Sequence, residues 1–589
     1  MAFLDLPNEL VIQILSDLTN RDLIACQLSN KLLHTAIKDS VLLQFKIALS
    51  TFKATDSPTC PLSLAERLQA LKDSEAAWSY LRRDFERRIV VDFAVSGIYD
   101  LTGGVFLLGN ADRSALHYIK LPSSIEDDAE WRMIQVDHGE GRIIDMGFCV
   151  YEHDLLAVIT TQPRHGIPHT TYDIKLVLFK LSTGEPHPAA KESTILVLNS
   201  QWESPRISVE IVGDHLVLIL THHHNHWIPH DRVYIYDWCN AELKMSFEAL
   251  HNSYSGLVFL SENLIVIPNA RTNALEIWDI FSTSKKPHPA CILQLPELVT
   301  GNTLLYITCR SEPNPIGSKS RLPSDKPFYR AAHEAVVLFH IHVQLGDPVI
   351  HQQQHGGGLV FAYTYTLFVH RKALCEVYER HCAEMNSGLG ESLGTPELSV
   401  QVEDSGFEDS EMDEMIIDDD DSDGWESVVS DNGDDMAIRA TDDDPIPIPW
   451  SSWGPPITRW LSADTMSTRW ITTTAGQRAV LCHSQDGVCQ YVVLDFNPEN
   501  VRRVEKMLES LPLGAQSRLQ SFRNLGGVET EGIFKESIVS ELPFVGCTSG
   551  GVHGWNGALM DEERVLGLMV DADGHISAIS VHHFGGAQN

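Results

Sequence analysis

Glu262-Asn263-Leu264-Ile265-Val266-Ile267, followed after a short polar turn by Leu275-Glu276-Ile277-Trp278-Asp279, sets the pattern of this chain. A polar turn leads into an apolar strand, and the next strand closes on an aromatic and a polar residue. The couplet recurs at 154–159 with 176–180, at 214–219 with 233–237, and at 303–307 with 336–340. Looser versions lie at 104–119, 477–496 and 544–570. The second strands begin near 176, 233, 275 and 336, a spacing of about 57, 42 and 61 residues. A four-stranded unit needs roughly 40–45 residues, and insertions lengthen it. Short strands repeating in this way predict a β-propeller, in which radial packing of small sheets leaves few open edges. The fold class expected is therefore mainly β with a helical N-terminus. Seven blades fit best, and six or eight fit the same spacings. A pair of β-sandwiches or an irregular β domain would produce similar runs.

Outward from this region, the first fifty residues change period. Pro7 suits the first turn of a helix, where its missing N–H costs nothing, and Asp5 and Asn8 flank it as caps. Leu10, Ile14, Leu15 and Leu18 recur at three- and four-residue spacing and share one face. Asn20 can cap a second helix bearing Leu23, Ile24 and Leu28. A third starts near Lys31 with Leu32, Leu33 and Ile37, and a fourth apolar stretch holds 41–43, Phe45, Ile47 and Leu49. About fifty residues close only a marginal core. The surplus of apolar side chains therefore predicts either a foreign partner or packing on the rest of the chain.

Leu6-Pro7, Glu9-Leu10, Ile14, Leu18 and Asp22-Leu23 stand in the order of an F-box. This stretch resembles that family, whose members dock a substrate receptor onto the adaptor of an SCF ubiquitin ligase. Carried over by position, the resemblance implies that Leu6, Pro7, Leu10, Ile14, Leu18 and Leu23 face the adaptor. Its second half departs from the pattern. Leu28-Ser29-Asn30 and Leu33 stand where many members have Val-Cys and an aromatic, and Phe45 is the nearest aromatic to the family's late Trp. Residues 62–81, with Leu64, Leu68, Leu71, Trp78 and Leu81, read as a helix. Related F-box proteins of fungal type carry a similar helix, which implies a semi-rigid connector. Trp278-Asp279 resembles the ending of a WD repeat.

The division expected is a helical module at 1–50, a helical linker at 51–89, the propeller's first part at 90–386, an acidic insertion at 387–456, and the propeller's remainder at 457–589. Between Glu403 and Asp444 lie nineteen carboxylates and one guanidinium, Arg439. Self-repulsion and low hydrophobicity predict disorder there. Within it, Asp404-Ser405-Gly406 with Ser410 resembles a phosphodegron, which makes Ser405 and Ser410 candidate phosphorylation sites; an acidic spacer with incidental serines is the simpler alternative. The five residues 445–449 alternate Pro and Ile and predict an extended entry to Trp450, Trp453, Trp460 and Trp470, expected as propeller core.

The 589-residue chain carries a formal charge of −36. That argues against general nucleic-acid binding, which replaces phosphate counterions with Lys and Arg, and against an anionic membrane surface. No apolar run reaches the ~18–20 residues of a spanning helix, and the N-terminus lacks the pattern of a signal peptide. Eleven scattered cysteines predict reduced thiols in cytosol or nucleus.

Catalytic motifs are thin. His222-His223-His224-Asn225-His226 with His230 is a dense imidazole cluster, but no thiol or convincing carboxylate completes a tetrahedral set. Cys375 with His381-Cys382, and Cys482-His483 with Cys489, lack paired Cys-x-x-Cys knuckles. Residues 546–551 lack the Asp and ordered partners of a serine nucleophile, and Gly356–358 lack the Lys-Ser/Thr of a phosphate loop. No catalytic residue, metal or cofactor is expected. The expected function is a substrate receptor that binds an SCF adaptor, and through it cullin, and grips an unidentified protein substrate with loops such as those bearing Arg113, Arg164, Arg271 and Arg310. A propeller scaffold with no ligase role is the alternative, and a hydrolase on the propeller axis a third.

Overall fold

Four short helices open the chain: α1 (Asn8–Ser16), α2 (Asn20–Ser29), α3 (Lys31–Asp39) and α4 (Val41–Phe52). Local chemistry sets their ends. Pro7 precedes α1 as its N-cap residue without a side-chain cap bond. Thr19, one residue before the expected Asn20, caps α2 by accepting the Asp22 N–H at 3.2 Å. Asn30 accepts the Leu32 N–H at 2.7 Å to start α3. Val11, Leu15, Leu23, Leu33, Ile37 and Leu43 meet as a small core. Lys46 of α4 reaches back to the Leu18 carbonyl at 2.7 Å, a cation where the C-terminal end of α1 is negative.

This computed structural model describes residues 6–137, 139–166, 169–222, 229–281, 287–320, 323, 326–346, 362–391, 445–463, 470, 472–485, 488–510, 519–522, 528 and 530–586. The stretch Glu379–Asp444 falls outside the main unit, and its residues 392–444, with the expected acidic tract, lie outside the described residues. Its described part continues the helix Arg371–Glu391. Ser405 and Ser410 lie outside the described residues, as do His223, His224 and His226.

Beyond α4 the chain forms seven radial sheets, the favoured blade number. Blade 1 spans 95–135, blade 2 142–200, blade 3 206–249, blade 4 258–294, blade 5 303–462 and blade 6 474–548. Blade 7 takes three strands from 557–583 and its outermost from β2 (Phe85–Val90), which pairs antiparallel with Ile576–His583. The ring thus closes by joining early chain to late. The middle strands of the blades are largely buried, although the third strand of blade 6 exposes Val488 and Gln490. In blade 3, His215–Thr221 is buried along its whole length.

The couplets are the second and third strands of blades 1, 2, 3, 4 and 6. Two couplets fall out of phase. The pair at 303–307 and 336–340 is the first and second strand of blade 5, because residues 311–335 intervene where other blades have a tight turn. The stretch 544–570 straddles blades 6 and 7. Trp278-Asp279 ends a third strand, and Trp278 stacks on Phe247 at 3.9 Å. Trp453, Trp460 and Trp470 are buried, as expected of propeller core. The expected insertion is narrower on its C-terminal side. Ile448 bridges Leu293 at the edge of blade 4 and exchanges backbone bonds with Ile292 and Gln294, and Trp450–Ile457 is helical. Cys482 and Cys489 form a disulfide across a hairpin of blade 6, so the reading of eleven reduced thiols fails for this pair.

Candidate docking surface

The helix expected at 62–81 forms as α5 (Leu64–Ser79), started by a reciprocal Ser63–Glu66 capping box. It is more than a connector. One stretch, Leu68 and Leu71, packs against Phe45 and Ala48 of α4. Its end, Ala77 and Trp78, enters the core of blades 6 and 7 beside Val480, Tyr491, Trp555 and Phe584. Before it, β1 (Ala54–Asp56) pairs antiparallel with Phe328–Arg330, in the long insertion of blade 5. The module is therefore stitched to the ring by a helix and a two-stranded sheet.

Charge completes the stitch. Glu75 is 1% exposed and lies between two guanidiniums, pairing with Arg330 and, at 2.6 Å, with Arg478. Arg478 also meets Asp495 at 3.1 Å. Burial alone would raise the Glu75 carboxyl; Arg478 and Arg330 outweigh it and hold it at about 2. Arg67 binds Asp56 and donates to the Ser57 carbonyl at 3.1 Å. Arg371, fully buried, donates to the carbonyls of Ser311, Pro313 and Ala332 and so fixes the insertion that β1 pairs with. Gly317 of that insertion lies so close to Gly213, in the first turn of blade 3, that a Cβ at position 317 would come within 2.6 Å of its Cα.

With one side of the module so held, the other is bare. Among the described residues twenty large apolar side chains are exposed, and seven belong to these four helices: Leu10, Ile14, Ile24, Leu28, Leu32, Val41 and Leu42. Leu28 is 83% exposed and Leu32 63%. Of the positions implied by the F-box resemblance, Leu10, Ile14 and Pro7 are exposed, while Leu6 and Leu18 lie half-buried against the module core. Leu23 is 0% exposed. It completes the six-residue core, so its reading as a partner-facing side chain is replaced by a core role. The exposed positions on α2, α3 and α4 were signalled only by the surplus of apolar residues over one helical face.

The expected substrate-gripping arginines separate. Arg113 and Arg271 sit in turns between second and third strands, and Arg164 ends a second strand. Because meander strands alternate direction, those turns share one face of the ring. Arg164 pairs with Asp173 at 3.2 Å. Arg310 is no loop charge. It ends the first strand of blade 5, is buried, and binds Asp100, Glu210 and Glu312 at 2.8–2.9 Å. Burial pushes the Glu312 and Asp145 carboxyls up to about 7 despite that guanidinium. His230 pairs with Glu248. The described group with metal-ligand spacing is Asp571, Asp573 and His575, all exposed in a turn.

Residues 3–49 match the F-box-like family model. No curated protein matches the sequence. Chains of similar structure include WD40 domains. That of Toxoplasma gondii coronin is 8% identical, with 84% of this chain and 85% of that one covered at a TM-score of 0.35. The C-terminal WD40 domain of Sif2 is 9% identical, with 50% and 84% covered at a TM-score of 0.24. The blade count rests on the sheets themselves. No helix among the described residues is long and apolar enough to cross a membrane. An F-box-like region joined to a seven-bladed propeller suggests a substrate receptor of the F-box type.

Proposed function

We propose that this chain is the substrate-recognition subunit of an SCF-type cullin–RING ubiquitin ligase. The observation that carries the reading is the bare apolar surface of α1 to α4 on a module that is otherwise fastened down. Burying one such side chain fully is worth roughly 1.5–3 kcal/mol, and association entropy offsets part of the sum. The adaptor, and cullin through it, is the partner that covers this surface. Leu10, Ile14, Leu28 and Leu32 are its principal contacts; Leu6, Pro7 and Leu18 frame them.

The stitched linker gives the proposal its mechanism. In such a complex no covalent step falls to this chain. Its contribution is to hold a substrate lysine near the charged ubiquitin carrier, which raises their effective molarity. A swinging module would dilute that gain; the Glu75 pairs and β1 sheet resist swinging. The face bearing Arg113, Arg164 and Arg271 lies opposite the one β1 covers, and is the surface proposed for the protein substrate. Ser405 and Ser410 are proposed as phosphorylation sites that control the chain's own turnover. Cytosol or nucleus is the proposed location.

Co-purification tests the reading. The intact chain should bring down adaptor and cullin, and Leu10→Asp with Ile14→Asp should bring down neither while the circular dichroism of the ring stays unchanged. Recovery of neither by the intact chain supports the rival reading, a scaffold with no ligase role, and equal recovery by both chains moves the adaptor contact away from Leu10 and Ile14. Equal lifetimes of the intact chain and of Ser405→Ala/Ser410→Ala in cells would remove the turnover proposal alone.

A further inference from the structure

The C-terminal end of α1 is completed by a side chain from another helix. A helix leaves its last four carbonyls without partners inside it. In α1 these belong to Gln13, Ile14, Leu15 and Ser16. The Ser16 hydroxyl donates to the Gln13 carbonyl at 2.6 Å, the Asp17 N–H to the Ile14 carbonyl at 3.3 Å and the Leu18 N–H to the Leu15 carbonyl at 3.2 Å. The Ser16 carbonyl is taken by the Lys46 ammonium, which also donates to the Leu18 carbonyl at 2.7 Å. α1 has no basic residue in its own last turn. Lys46 of α4 supplies the cation that a helix C-terminus favours.

The two helices joined by this pin differ in what fixes them. α4 is anchored to the ring. Phe45 and Ala48 pack on Leu68 and Leu71 of α5, the Thr51 carbonyl accepts from the Asn497 side chain at 2.9 Å, and Lys53 pairs with Glu334 at 3.4 Å. α1 enters the module core by Val11 and Leu15, with Ile12 half-buried beside them, and turns Leu10 and Ile14 into water. Burial of apolar surface is non-directional, so it holds α1 against the module without setting its exact rotation. Charge-assisted hydrogen bonds are directional and strong. Two of them, made to carbonyls at the end of α1 and just beyond it, set that rotation from the anchored α4.

We infer that Lys46 is a positioning residue for adaptor docking: its ammonium fixes where Leu10 and Ile14 stand relative to the α3 and α4 part of the apolar surface. The inference rests on the proposed adaptor reading and adds to it a polar residue that touches no partner. One rigid surface needs no reordering when the adaptor arrives, and preorganisation of this kind raises affinity.

Calorimetric titration of the full chain with a recombinant SCF adaptor subunit tests this. Lys46→Met keeps the apolar stem and removes both hydrogen bonds. It should weaken adaptor binding about tenfold, and Lys46→Arg, which keeps donors for both carbonyls, should restore most of the loss. A general weakening of the module would cost the same in every background. With Ile14→Ala already present, the cost of Lys46→Met should shrink to about threefold or less, while with Leu32→Ala it should stay about tenfold. Methyl spectra of the chain without adaptor give a second readout: Lys46→Met should move the signals of Leu10 and Ile14 and leave those of Leu28 and Leu32. Failure of the intact chain to bind adaptor would end the ligase reading and this inference together. Binding that Lys46→Met does not weaken would overturn the inference alone. Equal cost in all three backgrounds, no recovery with Lys46→Arg, or a module that unfolds in Lys46→Met and Lys46→Gln alike would overturn it as well.

Discussion

The helices at 6–52 and the seven-bladed ring bury apolar residues to different ends. The ring closes on itself, and its middle strands are mostly buried. The module gathers six side chains into a core and leaves seven large ones in water. Yet the module is not loose, since α5, β1 and Glu75 clamp its other side to the ring. A region that is firmly held and still incompletely covered has an open face suited to a partner. Mobility is not the cause of its exposure.

Charge placed on the open face is the hardest test of this contrast. Leu28→Asp with Leu32→Asp should weaken adaptor capture about a thousandfold or more, from lost burial and a charge forced under the partner, with the melting temperature of the free chain unchanged. A large drop in melting temperature instead would mean that these leucines support the module, and the contrast would break. Glu75→Ala attacks the clamp. It leaves two buried guanidiniums without their shared carboxylate and should cost about 3–5 kcal/mol in denaturant unfolding. Faster amide exchange in α5 should appear before any in blade 3.

Leu23→Ala probes the module's interior. A cavity at a fully buried leucine should cost about 2–5 kcal/mol, confined to amides of α1 to α4. A partner-facing Leu23 would lose adaptor affinity with no loss of protection. Acid offers a milder probe. The Glu75 carboxyl, held at about 2 against an ordinary value of 4.5, stabilises the fold above that ordinary value. This contribution, about 3 kcal/mol, is lost as pH falls from 5 towards 2. Glu312 and Asp145, raised to about 7, act with the opposite sign: the folded ring takes up their protons first and gains stability as pH falls from 7 to 5. Stability measured against pH should therefore peak near 5, and Glu75→Gln should remove only the acid limb. The smallest effect expected is about 1 kcal/mol for Thr19→Ala, which deletes the α2 cap; it should register in the module alone.

Much of this was legible in the chain. Helical period placed α1 to α5, and continuous apolar runs found the middle strands of five blades, because those strands are apolar along most of their length. Other elements carry no such mark. β2 reads Phe85-Glu86-Arg87-Arg88-Ile89-Val90; as the outermost strand of its blade it exposes charged positions, and its sequence gives little sign of a strand. The phase slip in blade 5 follows from residues 311–335, whose length breaks the repeat. Arg310 reads as surface charge because its carboxylates, Asp100 and Glu210, come from first strands of blades 1 and 3. Glu75, Arg330 and Arg478 are likewise joined only by the folded ring. The apolar surplus at residues 24–42 was visible in the sequence, but which of those side chains turn inward depends on four helices packing at once.

The seam between β2 and Ile576–His583 carries a consequence for synthesis. Asp84 and His583, 3.0 Å apart at that seam, are separated by 499 positions in the chain. Translation delivers β2 long before its mate. Until the mate emerges, six blades stand as an open arc with raw ends, while the helices at the start have left the ribosome with their oily face uncovered. Such a nascent chain calls for folding helpers at both places, and an early-arriving adaptor would serve as one of them.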